Sequence, residues 1–220
     1  MRPATKTVAT WFGILAGIAG LEHGYFEVLQ GNTQPEGLMI ASIGPPCVPE
    51  ISWNACEPAL TLFPTYQIAG VLTIIVSLVI IIWSVAFIQR KHGGSVLMLL
   101  SVGLLLTGGG IFPPLIGFIG GAAATRINKS LPEKYSNSAL RFVEKLWPWP
   151  LVIFIVWTLG QFLIGYFFND FLKSIMGFGV LLILSMLPLS IYSAYAHDVV
   201  HNVTPVEGYD NPMEQEMVFH

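Results

Sequence analysis

Long uncharged hydrophobic stretches dominate the pattern of residues along this chain. A membrane-spanning helix needs about 20 apolar residues to cross the hydrocarbon core of a bilayer. Four stretches reach that length, and they cover 58–89, 93–125, 146–169 and 174–196. A shorter stretch at 7–21 predicts a helix that continues through Glu22 and His23 to about Leu29. The pattern therefore predicts an all-α polytopic bundle of transmembrane helices.

The stretch 93–125 is too long for a single straight crossing. It contains 33 residues, and a helix of that length would run about 50 Å through a core of about 30 Å. Its middle holds three glycines at 108–110 and two prolines at 113–114, which interrupt a helix. The stretch is therefore either a hairpin of two short segments or one bent segment.

The distribution of Lys and Arg favours the hairpin, because these residues concentrate in cytoplasmic loops. With a hairpin and a cytoplasmic N-terminus, nine positive residues lie inside and only Lys173 lies outside. A single crossing would divide them five against five. We therefore expect both termini to be cytoplasmic.

These observations predict one transmembrane domain over 1–196, followed by an acidic cytoplasmic tail at 197–220. The outside loop covers 30–64. The predicted segments lie near 7–29, 65–88, 94–108, 112–125, 147–168 and 174–196, the third and fourth forming the short Gly/Pro-broken hairpin. In an alternative interpretation the first segment is a cleaved signal peptide, with Arg2 and Lys6 before it and a passable cleavage site at Gly17-Ile18-Ala19.

Composition supports a membrane protein and excludes other classes. Hydrophobic residues make up 54% of the chain and charged residues 10%, whereas soluble domains carry roughly 25% charged residues. A net charge of −3 with ten Lys plus Arg argues against a nucleic-acid partner. We expect the lipid bilayer of the cell membrane as the main partner, and no cofactor.

Three ionisable residues in the first segment are the main candidates for a polar path or ligand site: Glu22, His23 and Glu27. Such residues are costly inside a membrane unless they are paired or hydrated, so they often mark function. His23 and Glu27 share a helix face and can meet. The alternative is a structural role, through hydrogen bonds to the unwound backbone near 108–110. For Glu27 the structural role is favoured, because its carboxylate is expected to reach the headgroups.

Other polar residues suggest weaker candidates. Cys47 and Cys56 share the outside loop, where a disulfide can form, and two free thiols are the alternative. His197 and His201 are four residues apart and are weak candidates for metal ligands, because two ligands do not make a site. Solvated tail histidines are the alternative there.

Pairs of glycines four residues apart predict close helix packing. They are Gly13/Gly17, Gly20/Gly24 and Gly117/Gly121. Small residues at this spacing let helix backbones approach each other. The same faces are candidates for a homo-oligomer or for contact with a membrane partner.

Two motifs resemble a known group of proteins. One is GILAGIAGLEHG at 13–24, followed by Glu27 and by LQG at 29–31. The other is GGGIFPPL at 108–115, followed by AAATRI at 122–127. With LWPW at 146–149, they resemble a family of uncharacterised prokaryotic polytopic membrane proteins that has no assigned activity. The resemblance covers most of 7–150, implies a prokaryotic cell membrane, and implies no site residues.

The sequence favours a small transport or permeation component, or an accessory subunit of one. A structural or assembly protein is the alternative. A third hypothesis is an intramembrane lipid-modifying enzyme, which would need a second polar cluster facing Glu22. By residue type the nearest candidates for that cluster are Tyr66, Thr107 and Gln161. The chain contains no familiar catalytic motif, so the sequence favours a protein that is not an enzyme.

Overall fold

A computed structural model of the chain describes residues 2–43, 48, 52–129 and 138–201. Within these ranges the fold is helical, with one short two-stranded sheet. The elements are α1 (Pro3–Leu29), β1 (Met39–Ala41), β2 (Pro58–Leu60), α2 (Tyr66–Ala86), α3 (Gly93–Thr107), α4 (Phe112–Ala124), α5 (Ser138–Glu144), α6 (Trp149–Phe167) and α7 (Asn169–His201). The prediction of an all-helical fold is confirmed.

Four of the helices, α1, α2, α6 and α7, are long and apolar enough to cross a membrane. These helices support the assignment to a membrane protein. The helices α3 and α4 are apolar but shorter, with 15 and 13 residues. The last helix continues to His201, past the predicted domain boundary at 196, so the start of the expected tail is helical.

Helix α1 lies at the centre of the bundle and packs against α2, α4 and α7. One hydrophobic cluster joins α1 to α4, α6 and α7, and within it the rings of Phe12 and Phe154 lie 5.1 Å apart. A second cluster joins α1 to α2, α3 and α4. Helices α6 and α7 pack mainly against each other.

The glycines of α1 allow the close approach of its neighbours, as the sequence predicts. A Cβ atom added at Gly24 would lie 2.9 Å from the main-chain oxygen of Gly70 in α2. Gly13 and Gly20 are equally crowded by side chains of α2 and α3. Because these faces are covered within one chain, a partner would have to use other surfaces, and oligomerisation stays a prediction.

The first turn of α1 is capped by a side chain from the far end of the chain. The buried carboxylate of Asp198 in α7 accepts hydrogen bonds from the main-chain N–H groups of Ala4 (2.9 Å) and Thr5 (2.8 Å). The Thr5 hydroxyl donates a third bond at 2.6 Å. A carboxylate stabilises a helix N-terminus because it satisfies unpaired donors and opposes the helix dipole.

The turn 108–111 separates α3 from α4. Gly108 (φ +123°) and Gly110 (φ +77°) adopt backbone conformations that favour glycine. The end of α3 is held by the segment after β2: Thr61 Oγ1 donates to the Thr107 carbonyl oxygen (3.3 Å), and the Leu62 N–H donates to that of Leu106 (3.1 Å).

Two predictions fall partly outside the described residues. Cys47 lies outside them, so its pairing with Cys56 stays a prediction. The tail from 202 onward also lies outside.

Substitution of Gly70 tests the close contact between α1 and α2. In Gly70→Ala the new Cβ would lie 2.6 Å from the Gly24 oxygen and 2.7 Å from the Val28 nitrogen. We expect the free energy of unfolding to fall by about 1–3 kcal/mol, because both contacts are with rigid backbone. The measurement is thermal unfolding in detergent. Gly160→Ala is the control: no atom lies within 4 Å of its added Cβ, so stability should be unchanged or slightly higher. Equal effects would contradict the prediction.

Candidate functional site

Glu22, His23 and Glu27 lie near the Leu29 end of α1, beneath the hairpin formed by β1 and β2. The hairpin pairing continues past β1, where the Ser42 N–H donates to the Glu57 carbonyl oxygen at 3.0 Å. The Gln30 side chain ties the hairpin to the end of α1 by donating to the Ser42 carbonyl oxygen at 2.9 Å. This arrangement places Ser42 and Glu57 side by side above the ionisable residues.

Glu27 is fully enclosed by protein. Its side chain has no exposed surface, and Ser42 Oγ donates to its Oε1 at 2.9 Å. Thr73 Oγ1 of α2 donates to Oε2 at a longer 3.5 Å. Gly108 lies directly against the carboxylate, because a Cβ there would overlap both oxygens. Glu27 does not reach the headgroups as expected, since hydroxyl groups and the turn 108–111 surround it.

His23 is also buried, at 1% exposure. Its Nε2 lies 3.2 Å from Glu57 Oε2, and its Nδ1 has no hydrogen-bond partner in the described part of the chain. Gly110 packs against the imidazole so closely that a Cβ would overlap the ring. Within the described residues no hydrogen bond or ion pair joins His23 to Glu27, so the contact expected from their spacing does not form.

Glu22 lines a cavity. Asn54 Nδ2, from the segment before β2, donates to Glu22 Oε1 at 2.6 Å. Glu22, His23 and Glu57 all contribute to the wall of the same cavity. The structure thus brings Glu22 and His23 to one site and leaves Glu27 in a separate pocket of hydroxyl groups.

The cavity has a volume of about 110 Å³ and lies between α1, α4, α6, α7 and the segment 53–57. Thr158 and Gln161 of α6 add polar atoms to its wall. Thr158 is buried, and its hydroxyl has no partner among the described residues. The rest of the wall is largely apolar and is formed by Ala19, Trp53, Phe112, Pro113, Ile116, Phe162, Met176, Val180 and Ile183.

The ionisable groups of the cavity wall are two carboxyl groups and one imidazole. Among the described residues, no Lys or Arg lines the cavity. Such a wall can bind a cation or a hydrogen-bond donor, because carboxylates accept hydrogen bonds and attract positive charge. The adjacent His23 and Glu57 can also exchange a proton, and the apolar wall suits a small hydrocarbon group.

Several residues of the site were not found from the sequence. Glu57 and Asn54 lie in a loop whose polar residues carry no distinguishing pattern. Thr158 is the one threonine in the apolar helix α6, and helix packing explains such a residue equally well. Gln161 was a candidate to face Glu22, and it does line the cavity with Glu22. Tyr66 and Thr107, the other candidates, do not line it.

The weak metal candidates His197 and His201 lie elsewhere, at the end of α7 next to Glu144 of α5. They take no part in the cavity. The sequence did not identify Glu144 as a third metal-ligand candidate, because α6 and most of α7 lie between it and the two histidines along the chain.

Comparison with protein families, with curated proteins and with solved structures finds no match for the chain. The resemblance to a prokaryotic membrane protein family therefore stays a prediction. Function has to be inferred from the geometry of the site itself.

Substitutions of Glu27 and Glu22 should separate structural from functional carboxyl groups. Glu27→Ala leaves the Ser42 and Thr73 hydroxyls without their acceptor and opens a void, so the free energy of unfolding should fall by about 2–4 kcal/mol. Glu22→Gln keeps an oxygen that can accept the Asn54 bond, so its stability should change by less than about 1 kcal/mol.

Thermal unfolding in detergent measures both variants, with Glu36→Gln as the control because Glu36 is exposed in a loop. A loss for Glu22→Gln as large as that for Glu27→Ala would show that Glu22 is structural.

Proposed function

We propose that this protein is a multi-pass transport component of the cell membrane, or the accessory subunit of one, and that the Glu22–His23–Glu57 cavity binds its solute. The cavity wall carries the proposal, since it combines two carboxyl groups and an imidazole with no fixed positive charge. A small organic cation with an apolar portion fits that wall best. Ionisable groups inside membrane helices typically mark such solute or ion sites.

The predicted topology places the cavity near the outer surface. In our proposal all six segments, including α3 and α4, cross or enter the membrane, and the Lys and Arg distribution keeps both termini inside. The hairpin of β1 and β2 then lies outside. A solute would reach Glu22 from the outer side, past Trp53 and Glu57.

The proposed transport requires a movement, because the cavity does not extend through the bundle. Towards the other end, α1, α6 and α7 close around Phe12, Leu15 and Phe154, which are at most 1% exposed. Helices α6 and α7 pack mainly on each other. We propose that this pair moves against α1 to open the inner side, as packed elements do in alternating access.

A lipid-modifying enzyme is the second candidate, and one observation favours it. Thr158 and Gln161 share the cavity with Glu22, so a second polar group does face that carboxyl. The mixed wall would suit an amphiphile with its headgroup at Glu22. A purely structural protein is favoured only by the enclosure of Glu27, which does not account for the unpartnered hydroxyl of Thr158.

Binding of a simple organic cation tests the proposed solute class. We expect tetraethylammonium or a short primary alkylamine to raise the melting temperature of the purified protein and to change its tryptophan fluorescence, since Trp53 lies in the cavity wall. Glu22→Gln and Glu57→Gln should each weaken the apparent affinity at least about tenfold, because loss of one buried charged partner costs about 2 kcal/mol or more.

Glu36→Gln is the matched control and should bind as the wild type does. Organic anions of similar size should have no effect. If neither cation binds, or if Glu36→Gln weakens binding as much as Glu22→Gln, the proposed solute class is wrong. If a cation does bind as expected, its uptake into proteoliposomes would separate transport from binding alone.

A further inference from the structure

A second group of ligating side chains lies at the opposite end of the bundle from the cavity. His197 and His201 are four residues apart on α7 and therefore share a helix face. Glu144 reaches them from α5. Helix α5 is held there by Leu140, which packs with Ala196 and Val199 of α7.

The distances in this group are too long for hydrogen bonds but suit ligands around a metal ion. Glu144 Oε1 lies 3.6 Å from His201 Nδ1 and 4.0 Å from His197 Nδ1. Hydrogen bonds between nitrogen and oxygen are usually about 2.7–3.2 Å long. Two ligands of a tetrahedral zinc ion, each bonded at about 2.0–2.1 Å, lie about 3.4 Å apart.

The two imidazole rings lie next to each other, with centroids 4.1 Å apart and planes inclined by 25°. Because an imidazole lone pair lies in the plane of its ring, one ring has to rotate about its side-chain bonds for both nitrogens to point at the same ion. One potential ligand atom from each residue lies within 4.8 Å of the other two. The His197 carbonyl oxygen lies 3.2 Å from His201 Nδ1, and an ion that binds to this nitrogen has to displace that contact.

We propose that Glu144, His197 and His201 form a binding site for a transition-metal ion, with Zn²⁺ as the best fit. Two imidazoles and one carboxylate are a common zinc ligand set that leaves a fourth position open to water. Imidazole also binds copper and nickel, whereas Mg²⁺ and Ca²⁺ prefer oxygen ligands. The site is independent of the proposed solute cavity.

Accessibility differs among the three ligands in a way that suits reversible binding. The side chain of His201 is 54% exposed and that of Glu144 only 18%. An ion can therefore arrive from solvent and bind to a carboxylate that is already positioned. Once bound, it would link α5 to the end of α7, one residue from Asp198, whose carboxylate caps α1.

Calorimetric titration of the full chain with ZnCl₂, without a polyhistidine tag, tests the site. We expect one Zn²⁺ per chain and no comparable binding of Mg²⁺. His197→Ala, His201→Ala and Glu144→Gln should each weaken binding at least about tenfold, since even indirect disturbance of a metal ligand costs about 10–100-fold. His92→Ala is the matched control, because His92 is an exposed histidine outside the group.

A second measurement distinguishes loss of the metal site from loss of folding in the variants. Co²⁺ bound by these ligands should give a visible absorption band in the wild type and in His92→Ala, and none in the His197→Ala/His201→Ala double variant. The melting temperature without metal should be the same for all of them. Zn²⁺ binding that persists in the double variant would overturn the proposal. Weak binding of several Zn²⁺ ions per chain that does not saturate would also overturn it.

Discussion

The structure depends on burying the ionisable residues of one central helix. Water that would solvate a carboxyl group is absent from the hydrocarbon core, so the surrounding protein must supply the partners. Glu27 receives the Ser42 and Thr73 hydroxyls, and Glu22 receives the Asn54 amide. Ser42 follows β1 and Asn54 precedes β2, whereas Thr73 belongs to α2. The position of the β1–β2 hairpin over α1 is therefore linked to the burial of the carboxyl groups.

Glycine makes this enclosure sterically possible. Gly108 and Gly110 let the turn 108–111 lie directly against Glu27 and His23, where any side chain would overlap them. Gly24 and Gly70 let α1 and α2 approach until backbone contacts backbone. A glycine at such contacts excludes water and brings the surrounding dipoles closer, which strengthens each hydrogen bond in a medium of low dielectric constant. The glycine pattern and the buried ionisable groups are thus two parts of one arrangement.

Sequence patterns predicted the helices because hydropathy and helix length are local properties. The structure has helices at all six predicted segments, and it confirms four of them as long and apolar. Glu22 and His23 were also identifiable, since ionisable residues stand out in an apolar stretch. Their partners were not: Asn54 and Glu57 look like ordinary loop residues, and only the fold brings them to α1. The same holds for Glu144, whose meeting with His201 depends on how α5 docks.

The cap on the first helix carries a consequence for the order of synthesis. Asp198, which accepts from the N–H groups of Ala4 and Thr5, is added to the chain 193 or more residues after them. Until the last helix has emerged and inserted, the beginning of α1 must find other acceptors, such as water or lipid headgroups. The bundle can therefore be completed only after the helix that carries Asp198 has been made, and a chain that stops before Asp198 leaves these N–H groups without that acceptor.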